Sequence, residues 1–142
     1  MNNYASVLQM KALYFPEYIF NLKSPHMGAY NELNYAFGVD YSINNNQEYK
    51  IDITIKITDK VNILNIALKA SGIFSIDDNL LNGINKDTII KRNTVAIMFP
   101  YIRSQITLLT TQPGMSAVIM PPINVNALID DIEAKETQNK QQ

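Results

Sequence analysis

The 142-residue chain has no cysteine, no tryptophan and a single histidine. Without cysteine there is no disulfide framework, no thiolate metal site and no cysteine nucleophile. A catalytic or metal-binding histidine needs companion groups held beside it. His26, in the loop-like stretch "KSPHMG", has none at a recognisable spacing and reads as a solvated polar residue. Phosphate-binding loops and nucleophile elbows are missing as well. The one tight acidic pair, Asp130 and Asp131, reads as a wet helix face. Formal net charge is −1 and the pI about 5.7, so no basic footprint for nucleic acid exists. No apolar run is long enough to span a membrane. The start, "MNNYASVLQMK", lacks the basic and apolar parts of a signal peptide, and a cytoplasmic location is expected. No cofactor and no catalysis are expected; binding or assembly is left.

What is present is patterned apolar surface. Residues 49–58, "YKIDITIKIT", alternate without error: Tyr49, Ile51, Ile53, Ile55 and Ile57 against Lys50, Asp52, Thr54, Lys56 and Thr58. That is a strand with one buried and one wet face, as antiparallel sheets have. "TDKVN" turns it into a second run with Leu64, Ile66, Leu68 and Ala70 on one side; Gly72 there marks a bulge or a close backbone approach. Upstream, "LNYAFGVDYSI" alternates too. The first strand is "VLQMKALYFPEYIFNL", and Pro16 puts it at an edge or gives it a bulge. Its set Leu13, Phe15 and Ile19 reads as an outward face too apolar for plain solvent. Residues 23–32 are long for a hairpin and read as a crossover. Residues 77–87, "DDNLLNGINKD", are irregular, with Asp87 able to cap a short turn. Residues 93–111 have helical spacing, with Pro100 bending the helix or sitting in its first turn. Asn124 is the expected cap of a last helix carrying Val125, Leu128, Ile129 and Ile132. The expected fold is α+β, a four-stranded antiparallel sheet followed by two helices packed on it. Residues 1–132 form one domain, and 133–142 a flexible polar tail.

One helix layer covers one sheet face. Yet the 93–111 helix has a wide apolar arc: Val95, Met98, Ile102, Ile106 and Leu109 form a stripe, and Ala96, Phe99 and Leu108 lie off it. The surplus belongs to a partner copy, a ligand or both. The stripe is therefore the expected subunit interface.

Three motifs in order, "SGIFSI" (71–76), "MFPYIR" (98–103) and "PPINVNAL" (121–128), resemble those of the SecB export chaperones. The resemblance covers roughly residues 8–132. It implies a homotetramer, a dimer of dimers with long helices between the dimers. It also implies that unfolded or precursor polypeptides are held in apolar grooves and passed, in export, to the translocase motor SecA. Carried over to this chain, the groove lining would be Met27, Tyr30, Phe74, Ile119, Met120 and Ile123. For Phe74 and Ile123 core or interface is an equal alternative. Methionine suits such a surface because its side chain repacks around many partners.

The chain departs from the family where the motor docks. Glu17 matches one acidic docking position, but Asn21 and Ala67 stand at the other two, and Lys50 and Lys56 lie on the neighbouring strand. Weak or no binding to SecA is expected, with holding retained. SecB-like chaperones dedicated to an antitoxin share the fold, so that reading stays open. A purely structural assembly protein, all of whose apolar surface is used between subunits, stays open too.

Overall fold

A computed structural model describes residues 6–26, 28, 30, 32–44 and 46–140. Four strands, β1 (Leu8–Leu22), β2 (Leu33–Ile43), β3 (Tyr49–Asp59) and β4 (Leu64–Ile76), form one antiparallel sheet in the order β1-β4-β3-β2. Two hairpins build three of the strands. In the β3–β4 turn, Asp59 Oδ1 accepts from the backbone N–H groups of Ile63 (2.8 Å) and Leu64 (3.1 Å), and Asn62 takes φ 59°. Asparagine is among the few residues that tolerate that region. In the β2–β3 turn, Asn44 Oδ1 accepts from the N–H groups of Asn46 and Glu48, both at 2.9 Å. The segment after β1 crosses over to reach the far edge, as its length suggested.

β1 is both an edge strand and a bulged one. Its register on β4 shifts between Met10 and Ala12 and again between Tyr14 and Glu17, the second shift spanning Pro16. Each bulge inserts one residue and reverses the in–out phase. This corrects the outward set expected for the strand. Leu13 and Phe15 pack on the core, and only Ile19 of the three points away, at 55% exposure.

The alternating isoleucines behave as read. Ile51, Ile53, Ile55 and Ile57 are buried, with Leu64, Ile66, Leu68, Ala70 and Phe74 beside them. Over them lies α2 (Thr94–Leu109), which buries Val95, Met98, Phe99, Ile102 and Ile106. Gly72 is the close approach. A Cβ there would stand 2.8 Å from Met98 Sδ and 2.8 Å from Phe74 Cε2. Gly72 pairs in register with both neighbouring strands, so it is not a bulge.

The helical stretch begins earlier than residue 93. A turn of helix, α1 (Lys86–Thr88), and a π-helical turn (Ile89–Asn93) run directly into α2. Asn85, not Asp87, is the cap: its Oδ1 accepts from the N–H groups of Asp87 (2.9 Å) and Thr88 (3.4 Å). Pro100 consequently sits inside the helix rather than in its first turn. The last helix, α3 (Val125–Lys140), starts as read, with Ala127 N–H donating to Asn124 Oδ1 at 3.1 Å. It continues to Lys140, past the point where apolar residues stop. Good helix formers and an Asp131–Lys135 ion pair at 3.2 Å carry it there.

Candidate functional site

Between α2 and α3 the chain runs extended along α2 and is pinned to it. Arg103 Nε donates to the Met120 carbonyl (3.2 Å), Thr107 Oγ1 to that of Val118 (3.1 Å), and Val118 N–H to Thr110 Oγ1 (2.8 Å). Val118 and Met120 point inward and are buried. Ile119, between them, is 75% exposed. An extended chain alternates its side chains, so fixing 118 and 120 inward holds 119 out. Below Ile119 lies an open trough of about 550 Å³, lined by Pro100, Arg103, Ser104, Thr107, Leu108, Thr111, Ile119 and Met120.

The crossover after β1 docks on the same inter-helix segment. His26 N–H donates to the Gly114 carbonyl (2.7 Å) and Ser116 N–H to the His26 carbonyl (3.2 Å). Gly28 N–H donates to Ser116 Oγ (2.9 Å) and Tyr30 OH to the Ser116 carbonyl (3.0 Å). The His26 ring stacks on Tyr30 with centroids 4.6 Å apart, so this half-buried histidine is a docking residue of the loop. Burial, and behind it the charge of Asp59, raises the Tyr30 pKa. Among the described residues no group of three or more histidine or acidic side chains could hold a metal.

The residues expected to line a groove separate into three groups. Tyr30 and Ile119 belong to the two docked segments, and Ile119 is the exposed one. Ile123 is half-buried against the core. Phe74, at 0% exposure, is core, and Met120, at 1%, shows the trough little but its edge. Met27 lies outside the described residues. Glu17 is exposed on β1, opposite Lys69 of β4.

The interface stripe needs a larger correction. Val95, Met98, Ile102 and Ile106 are each 0% exposed because they face this chain's own sheet, and Leu109 packs half-buried against the same core. The helix does have surplus apolar surface, but on the opposite side: Ile97 (36% exposed), Tyr101 (51%) and Leu108 (67%). These recur at steps of four and seven, a second stripe on the outer side of the helix. That spacing was the signal available in the sequence.

A small sheet covered on one face, an apolar outer helix face and a trough roofed by a rigid loop define a SecB-like chaperone fold. The SecB-like chaperone of Mycobacterium tuberculosis, solved in complex with a ChAD peptide from the HigA1 antitoxin, superposes with a TM-score of 0.62 at 10% identity, covering 82% of this chain and 88% of that one. A protein of unknown function from Streptococcus agalactiae superposes at 0.48, with 11% identity and coverage of 81% and 97%. The sequence agrees with the first likeness. The family described as preprotein translocase subunit SecB matches residues 3–136, and the chain belongs to that family. It is also 29% identical over 129 residues to an uncharacterised protein of Methanocaldococcus jannaschii, spanning 87% of this chain and 81% of the relative.

Proposed function

We propose that the protein is a holdase. It binds unfolded polypeptide segments without covalent chemistry and keeps them from aggregating, in the cytoplasm. The observation that carries this reading is Ile119: a large apolar side chain held in solvent by a segment with two hydrogen bonds to α2 and one to Thr110 just after it, at the lip of an open trough. A rigid apolar anchor lowers the ordering cost of binding, which otherwise dominates when an unfolded chain is captured. Tyr30 and the docked crossover extend the surface beyond the trough. The outer stripe Ile97, Tyr101 and Leu108 joins copies into a dimer of dimers, as closed two-fold symmetry favours. The deciding experiment follows light scattering of a chemically unfolded client on dilution. The parent should suppress aggregation, and Ile119→Ser with Tyr30→Ser should lose suppression while keeping its assembly state. Equal protection by that variant would favour the structural-assembly reading.

A second reading is service to one dedicated partner, such as an antitoxin. Two observations favour it: the likeness to a chaperone solved with an antitoxin peptide, and a sheet face that has lost its acidic docking set. Broad protection of unrelated clients would argue against it.

A further inference from the structure

The sheet face turned away from α2 is covered by no helix among the described residues. Read across the strands in register, its middle rows are Ile19–Ala67–Lys56–Ala36 and Glu17–Lys69–Thr54–Gly38. The adjoining row closes on itself: Ser71 Oγ donates to Asp52 Oδ1 at 2.5 Å, and Lys50 Nζ lies 4.0 Å from Asp52 Oδ2. Lys56 and Lys69 have no such arrangement. Neither forms an ion pair among the described residues, although Glu17 stands directly opposite Lys69. They are diagonal neighbours on β3 and β4, about 7–8 Å apart at the backbone by sheet geometry.

Lysines commonly guard edge strands against pairing. These two lie on the central strands, where that role does not apply. Their surroundings are small. Ala36, Phe37, Gly38, Thr54 and Lys56 line a hollow of about 250 Å³, and a Cβ on Gly38 would meet nothing within 4 Å. At the β1 end of the row Ile19 is 55% exposed. The face thus combines an exposed Ile19, an open floor and two cations that form no ion pair among the described residues, with Glu17 in the row of Lys69 and Asp40 and Asp52 in the adjoining one.

We propose that this face docks an acidic segment of a partner polypeptide, with carboxylates on Lys56 and Lys69 and an apolar side chain against Ile19. Phosphate ligands fit less well. The two cations are lysines, point charges without the guanidinium fork, and central strands offer no converging backbone N–H groups. The face lies across the sheet from Ile119, so this docking is separate from the holding of clients.

The test uses the full chain and a fluorescent peptide of alternating glutamate and leucine, with a glutamine–leucine peptide as control. The glutamate peptide should bind, weaken with added salt, and shift the amide signals of Ile19, Ala36, Lys56, Ala67 and Lys69. Lys56→Gln with Lys69→Gln should weaken it at least about tenfold, as loss of two complementary charges does, while protecting an aggregating client as well as the parent. Thermal melts of the double variant confirm that it is folded. Equal binding of both peptides, signal shifts at Ile119 instead of the sheet face, or stronger binding of a DNA oligonucleotide than of the glutamate peptide would each overturn the proposal.

Discussion

At Gly72 the Met98 side chain of α2 packs directly on the strand backbone, leaving no room for a Cβ. Gly72→Ala would force Met98 and the Phe74 ring to move, and overpacking of this kind costs about 1–3 kcal/mol. Urea melts of the variant should show a lower midpoint, and Met98→Ala in the same background should add its own cavity rather than relieve the strain fully. Tyr41 makes a different prediction. Its OH donates to the Lys91 carbonyl at 2.8 Å in the π-helical turn. Burial, with smaller contributions from Glu133, Glu136 and Asp87 and against that of Arg92, raises its pKa to about 12. The group binds its proton more tightly folded than unfolded. Its contribution to stability is therefore complete below about pH 10 and is lost as pH rises toward 12. Burial raises Tyr18, Tyr30 and Tyr35 as well, so tyrosinate absorbance should lose its latest-titrating step in Tyr41→Phe. Some of this was legible in the sequence: a glycine inside a strand pattern announces close approach. The partner of that approach, Met98, was legible only as a member of a stripe.

At the scale of elements, the strands were readable wherever alternation was unbroken, and β1 was not. A strict period of two cannot register that Lys11 and the residues around Pro16 are inserted, and so it placed Leu13 and Phe15 on the wrong side. Helix α2 failed in the opposite way. Periodicity found the apolar stripe correctly but not which side faces the sheet, because both sides are apolar. This separates two kinds of substitution. Ile102→Ala should destabilise the fold by about 2–5 kcal/mol, since Ile102 is fully buried. Tyr101→Glu or Leu108→Glu should leave the melting transition of the subunit nearly unchanged and shift light scattering toward smaller species. Helix α3 buries only Ile129 fully and is tied down by Arg92. That guanidinium donates to the Asn126 carbonyl and side chain (both 3.1 Å) and pairs with Asp130 at 2.6 Å. Arg92→Ala should therefore speed amide exchange in α3 well before it affects β3 or β4.

The whole molecule has two unlike sides. One carries α2, the trough and the apolar outer stripe; the other is a sheet face that keeps one acid, Glu17, at the three positions where the SecB resemblance implies docking acids, with Asn21 and Ala67 at the other two and Lys50 and Lys56 on the neighbouring strand. Charge complementarity governs both encounter rate and register. The expected outcome is that no salt-sensitive complex with SecA forms in sedimentation or surface-binding assays, and that restoring acids through Asn21→Glu and Ala67→Glu increases whatever binding exists. The order of the motifs made the family legible in the sequence. The site itself was only half legible. Ile119 and Tyr30 could be named as candidates, but the crossover docks on the inter-helix segment through hydrogen bonds between residues far apart in sequence, which no local pattern encodes.

Those same hydrogen bonds impose an order of assembly. Gly28 and Ser116 are 88 positions apart, and Tyr30 and Ser116 are 86 apart. Contacts of such separation form late, because the loop they close must first be drawn in by other structure. While the chain is being synthesised, the crossover has nothing to dock on until nearly the whole sheet and α2 have emerged. The crossover side of the surface proposed to hold other unfolded chains is thus completed late. On that proposal, a nascent copy would hold no client until its own crossover had docked.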